Sequence, residues 1–408
     1  MANKSDGEER ASPLLEYGIT KAVLQSLPNI LQLNKASTVC KSWNETAKII
    51  KKSRNQIYCT ANNESFEDYS CVQSLISIMR SQPCLCFVFL THEGLAEIPP
   101  PLPELNLDGH NGSHFGRCTE YRLLHYLRKS MPSDCVIVGG IANGVVTSTP
   151  SLQTNETEDG DGYGLILIPD IPTLSIRNFY LDRQKMKKFG KAITSQPEDV
   201  GPLLNIKDDD QVKCLVLLGT DAFKESKCIE AICRYFQDRR NQNVAIGGGF
   251  VEAAVHPDVV DGDREYGITG LVFCGPNVIA NSIIVPPDAT TDSDIERVIL
   301  QLKEKHVVTS PSQKTRSIGF MVACVARGTH LHGRSGVESG IFRRHFPTTP
   351  LLGFFGNGEI GITCLGPSSS PTNPHSFQPN LPSAPKKSRT TYLHSYATTF
   401  TLISFPVE

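Results

Sequence analysis

The stretch Ala326-Arg327-Gly328-Thr329-His330-Leu331-His332-Gly333-Arg334 sets two guanidinium groups and two imidazoles directly after the apolar run Ile318–Val325. A run of that kind reads as a strand, and a polar loop held at a strand end is where binding groups collect. Arg327 and Arg334 could hold a carboxylate or phosphate through charge-assisted hydrogen bonds, above all if the loop opens into a helix. His330-x-His332 could begin a metal site, but no third ligand stands at a telling spacing, so neither a metal nor another cofactor is expected. Cys324 adds a soft thiol at the same strand end. Further on, Gly356-Asn357-Gly358-Glu359-Ile360-Gly361 spells G-x-G-x-x-G after a second apolar run. A dinucleotide site needs a helix after those glycines, and Ile362-Thr363-Cys364-Leu365 is strand-like, so a turn is expected instead. The candidate target or ligand set is therefore Cys324, Arg327, His330, His332, Arg334, Asn357 and Glu359. The competing reading is a solvated basic loop. No Ser/His/Asp order, nucleophile elbow or paired-carboxylate motif stands out, and catalysis within the chain is not expected.

These residues must be positioned by an α/β scaffold. One pattern occurs three times: an apolar strand, a loop into an amphipathic helix, then a second strand that breaks into glycine. The first strands are Cys84–Leu90, Val212–Leu218 and Ile318–Val325. The helices carry Leu124, Leu127 and Met131, then Ile229, Ile232, Cys233 and Phe236, then Val337, Ile341 and Phe342. The second strands end in Gly139-Gly140, Gly247-Gly248-Gly249 and Gly353 to Gly356. Trailing strands are expected at Gly164–Ile168 with Ile176–Tyr180, at Ile268–Cys274 with Val278–Val285, and at Tyr396–Phe405 alone. The fold class is α+β to α/β, with mixed sheets flanked by helices. Two stacked sheets are the expected arrangement.

Composition narrows the function classes. The chain has 408 residues with 40 Lys+Arg against 42 Asp+Glu, a balance that argues against general nucleic-acid or membrane-surface binding. No apolar run approaches a membrane span, and the polar start does not read as a signal peptide. The 13 cysteines are odd in number and scattered, without a C-x-x-C pair. They read as reduced core thiols of a cytoplasmic and nuclear protein, which would leave the sequons at Asn111 and Asn155 idle. Residues 1–12 and the Ser/Pro/Asn-rich segment 366–390 lack the apolar content to order themselves. The latter ends in Lys386-Lys387-Ser388-Arg389, a solvated charge run or a short nuclear signal.

The N-terminal part differs in kind. Val23, Leu24 and Leu27 share a helical face that Pro28 ends, Leu31, Leu33, Ala36 and Val39 make a second short stripe, and Val39-Cys40-Lys41-Ser42-Trp43 leads into a third segment. Three helices this short cannot bury a core alone and need a partner. The pentad and its helices resemble an F-box, although Leu14-Leu15-Glu16 stands where F-boxes usually read Leu-Pro-x-Glu. Ile318–Gly328 and Pro350–Gly361 resemble the C-terminal FIST (F-box and intracellular signal transduction) domain. The order is similar to that of F-box proteins with two FIST domains: an F-box at 13–58, an N-terminal FIST-like domain at 66–288 and a C-terminal one at 289–408.

The resemblance implies a non-catalytic substrate receptor of an Skp–cullin–F-box ubiquitin ligase. Its partners would be the Skp adaptor, the cullin and RING subunit through it, and a target protein passed on for proteasomal degradation. It further implies adaptor contacts from Leu15, Val23, Leu24, Leu27, Leu31, Leu33, Val39, Cys40 and Trp43. The alternative is a FIST protein that senses a small ligand such as an amino acid. An enzyme using the glycine turns ranks last.

Overall fold

A computed structural model describes residues 13–63, 68–91, 119–158, 160–195, 197–220, 227–238, 243–257, 267–306, 314–366 and 391–407. Residues 1–12 and all but the first residue of 366–390 lie outside the described residues.

Helices α1 (Pro13–Ser26), α2 (Ile30–Ser37) and α3 (Lys41–Ser53) come first. Asn29 caps α2 by accepting the Gln32 N–H at 2.9 Å. Three units follow. The first holds β1 (Tyr58–Asn62), α4 (Ser70–Ile78), β2 (Pro83–Thr91), α5 (Thr119–Ser130), β3 (Val136–Ala142), β4 (Gly144–Ser148), β5 (Thr154–Thr157) and β6 (Tyr163–Pro169). The second holds β7 (Ser175–Leu181), α6 (Arg183–Ser195), α7 (Val200–Leu203), β8 (Val212–Thr220), α8 (Lys227–Asp238), β9 (Ala245–Val251), β10 (Ala253–Val255) and β11 (Ile268–Cys274). The third holds β12 (Ile279–Val285), α9 (Asp292–Lys305), β13 (Thr315–Cys324), α10 (Gly328–His332), α11 (Val337–His345), β14 (Leu351–Gly356), β15 (Glu359–Gly361), β16 (Leu393–His394) and β17 (Thr398–Pro406).

The threefold pattern is present, with its phase shifted by one strand. β7 and β12 open the second and third units instead of closing the ones before, and β1 opens the first. That explains why the last unit appeared to trail a single strand. The sheets number three, not the two expected: β1-β6-β2-β3-β10, β7-β11-β8-β9-β15-β16 and β12-β17-β13-β14-β4-β5. In each, one parallel pair (β2 with β3, β8 with β9, β13 with β14) sits among antiparallel neighbours. The strand after each parallel pair crosses to another unit's sheet: β4 joins the third, β10 the first and β15 the second. The exchange is cyclic, and the third sheet draws strands from both sides of the boundary expected at 288/289.

Glycine permits this geometry at one repeated register. Gly139 lies opposite Val88, Gly248 opposite Leu217, and Gly353 opposite Met321. At each, a Cβ would overlap the facing carbonyl oxygen. Inside, the sheets share one apolar core. Phe87 and Phe89 of the first sheet meet Phe320 and Phe354 of the third at ring-centroid distances of 5.2 and 4.8 Å, and Phe273 of the second meets Phe320 at 6.1 Å. Helices cover the outer faces. α6 and α8 lie over the second sheet, α9 and α11 over the third, and α1 to α5 over the first. Among the described residues no helix is long and apolar enough to cross a membrane.

One tie in this frame is sensitive to pH. His306, at the end of α9, contacts Asn281 Oδ1 of β12 at 2.8 Å and Ser404 Oγ of β17 at 2.7 Å. Burial lowers its pKa to about 4. The unfolded chain therefore binds a proton that the folded chain does not between pH ~6.5 and about 4, and stability falls as pH falls through that window. Between pH 7 and 4.5, wild type is expected to lose ~2–3 kcal/mol more in urea unfolding than His306→Gln.

Candidate functional site

The candidate loop begins where β13 ends. Cys324 is buried, and its N–H donates to Ala397 O at 3.0 Å. Arg327 is 1% exposed. Its Nε donates to Glu338 Oε1 at 2.6 Å, Nη1 to Tyr396 O at 3.0 Å and Pro286 O at 3.3 Å, and Nη2 to Ala289 O at 2.8 Å. His332 Nε2 lies 3.2 Å from the same Glu338 oxygen, with its side chain buried. Burial pushes the Glu338 carboxyl up, but the His332 hydrogen bond and the Arg327 charge outweigh it, and its pKa sits below the usual value. Glu359 is also fully buried, accepting the Ala397 N–H at 3.1 Å. The Gly356–Gly361 turn joins two strands, β14 and β15, with no helix after its glycines.

This placement corrects the expected recognition role of Arg327 and Glu359. Both are enclosed, and the Arg327 donors are directed at protein acceptors, so neither is open to a target. Of the remaining candidates, His330 is exposed, Asn357 is half-buried, and Arg334 pairs with Asp292 at 2.7 Å with both side chains in solvent.

The loop does hold carboxylates, and they belong to the chain itself. Glu156 of β5 accepts the Gly336 N–H at 2.6 Å, at the start of α11. Glu158 accepts the Thr329 N–H at 2.8 Å and the Thr329 hydroxyl at 2.8 Å. The carboxylate lies directly against the Gly328 backbone, where a Cβ would displace it. Burial raises the Glu156 pKa, only partly offset by hydrogen bonds from Ser339 and Gly336. The carboxylates at this loop are the chain's own, held by the Thr329 and Gly336 N–H groups and the Thr329 hydroxyl. Glu156 lies on β5 and Glu158 one residue past its end; two apart on extended chain, they point to one side, and that spacing was the available signal.

The helical module presents the opposite situation. Leu24, Ile30, Leu33, Ala47 and Ile50 point into a core shared with Val72 and Leu75 of α4 and with Tyr58, Cys86 and Val88 of the first sheet. Leu27 and Trp43 pack half-buried on that core. Leu24 and Leu33 were expected to face an adaptor; at 0% exposure they are internal, because the helices fold against the sheet and not against one another alone. The apolar side chains left in solvent are Tyr17, Ile19, Val23, Leu31, Val39 and Ile49, which make up six of the ten large exposed hydrophobic side chains among the described residues. Val39 is 65% exposed, Leu31 47% and Val23 45%. Cys40 is exposed beside Val39. The Leu15 side chain lies outside the described residues.

Among the described residues, no group of three or more His, Cys, Asp or Glu side chains is arranged to hold a metal. The described cysteines are free thiols, and burial raises Cys59 to about 12 and Cys84 to about 11, which disfavours the nucleophilic thiolate.

No family model matches the chain. Among curated proteins it is similar to F-box only protein 22 of Pongo abelii and of Homo sapiens, each 28% identical over 245 residues. The match covers 58% of this chain and 57% of each relative, so the chain spans a little over half the length of the curated relatives it matches. This similarity supports the F-box resemblance read from the sequence. Among solved structures, two cyanuric acid hydrolase structures, one from A. caulinodans, align over 85% and 86% of this chain and 99% and 98% of theirs. Their TM-scores are 0.38 and 0.36 at 10% identity, too low to imply a shared fold.

Proposed function

We propose that the chain is the substrate-receptor subunit of an Skp–cullin–F-box ubiquitin ligase. The observation that carries this reading is the apolar side chains left in solvent on α1, α2 and the turn before α3, on a module whose other apolar face is already buried. Exposed apolar side chains gathered on one module of an otherwise well-packed protein point to an interaction site. The similarity to F-box only protein 22 supports an Skp-type adaptor as the partner class. The sheets would then recruit a target protein for degradation. The receptor would act by proximity, raising the effective concentration of target near the charged E2 enzyme.

The test is reconstitution. Purified chain, Skp adaptor, cullin and RING subunit should co-elute. With E1, E2, ubiquitin and ATP, lysines of the chain should be modified only when the adaptor is present. Failure to co-elute, or modification independent of the adaptor, would rule this reading out.

A further inference from the structure

The helical module is not tethered to the sheets by a free linker; it is bolted to them. Arg54, just after α3, reaches two separate pieces of chain. Its Nη2 donates to Gln25 O at 3.3 Å and Leu27 O at 3.2 Å, at the end of α1, where helix carbonyls lack internal partners. Its Nη1 donates to Arg80 O at 3.2 Å, in the turn between α4 and β2. Arg80 returns the contact, donating from Nη2 to Gln25 O at 3.3 Å, while its own N–H donates to the buried Tyr58 hydroxyl at 2.6 Å. Alongside, Asn29 Nδ2 donates to Ser77 O at 2.9 Å and the Ile30 N–H to Met79 O at 2.7 Å. Four of these bonds (Arg54 to Arg80 O, Arg80 to Gln25 O, Asn29 to Ser77 O and Ile30 to Met79 O) join the helical module to the 77–81 turn, Arg54 also ties the end of α1 to the end of α3, and the apolar core is continuous beneath them.

We infer that Arg54 is a positioning residue that fixes the orientation of the helical module on the first sheet. The part of this inference that concerns ubiquitination rests on the proposed receptor function; the orientation itself does not. A planar guanidinium spans the end of α1 and the 77–81 turn in one fixed fork, which a compact ammonium on a flexible stem holds less rigidly. With the bolt in place, an adaptor docked on α1 and α2 stands at one distance and angle from the sheets. The sheet region then offers a restricted set of lysines, its own or a target's, to a charged E2 enzyme.

The experiment uses the full chain with spin labels, introduced as non-natural residues at Lys35 and Lys187, and double electron–electron resonance with and without Skp adaptor. Wild type should give one narrow distance distribution that the adaptor does not change. Arg54→Ala should broaden it or add a second population, while adaptor affinity stays within about threefold, and Arg54→Lys should fall between. Arg80→Ala, which removes one contact to Gln25, should broaden it less. In the reconstituted ligase, Arg54→Ala should spread ubiquitin over more lysines of the chain. A distribution as narrow as wild type in Arg54→Ala, or an unchanged lysine pattern, would overturn the inference. So would loss of adaptor binding in both Arg54→Ala and Arg54→Lys, since that means Arg54 holds the module folded rather than oriented. Should wild type fail to bind adaptor, the receptor reading falls, and the label distances alone still decide the orientation claim.

Discussion

Arg327→Met is expected to cost about 3–5 kcal/mol of folding stability, because it leaves the Glu338 carboxylate buried without its cation. Glu338 is held by Arg327 and His332, and no solvent reaches it to compensate. Three carbonyls, of Pro286, Ala289 and Tyr396, lose their donor in the same step. Combining Arg327→Met with Glu338→Leu should recover part of the loss, since removing both charges abolishes the desolvation penalty. Arg334→Ala provides the contrast. Its pair with Asp292 is in solvent, and the change should stay within about 0.5 kcal/mol. Urea unfolding of the four proteins checks the series. A near-neutral Arg327→Met would return this arginine to the pool of recognition residues.

The second large effect concerns the helical face. Val23→Asp with Leu31→Asp should lower adaptor affinity by at least about 100-fold, since each buried aliphatic side chain contributes ~1.5–3 kcal/mol and a buried, unpaired carboxylate opposes binding further. Both positions are exposed in the free chain, so the melting temperature should move by no more than a few degrees. Leu24→Ala should do the reverse in stability terms. It opens a cavity in the shared core and should cost about 2–5 kcal/mol. Calorimetric titration and thermal melts separate the two effects. A double variant that binds adaptor normally would place the docking surface elsewhere.

These two regions mark where sequence reasoning carried and where it stopped. Strands such as Ile268–Cys274 were legible because a continuous apolar run bounded by turns has few other uses. The cyclic strand exchange was not, because its carriers β10 and β15 are only three residues each and pair with strands distant in the chain. The role of Arg327 was hidden for a related reason. Its carbonyl acceptors lie 38, 41 and 69 residues away, and nothing in the local pattern of the loop marks a buried arginine. On the helices the periodicity found the right elements but not which stripe turns outward. Val23 and Leu24 are adjacent in sequence and about 100° apart on the helix, and only the packing of α4 and the first sheet decides that Leu24 goes inside.

Hydrogen–deuterium exchange of the full chain with and without purified Skp adaptor decides whether the helical face is the docking surface. Adaptor docked on the helices should bring new protection over residues 17–39, covering most of α1, α2 and the turn before α3, with exchange in β13 to β15 and the 327–336 loop unchanged. Protection confined to the sheet region, or no change anywhere at saturating adaptor, would contradict it.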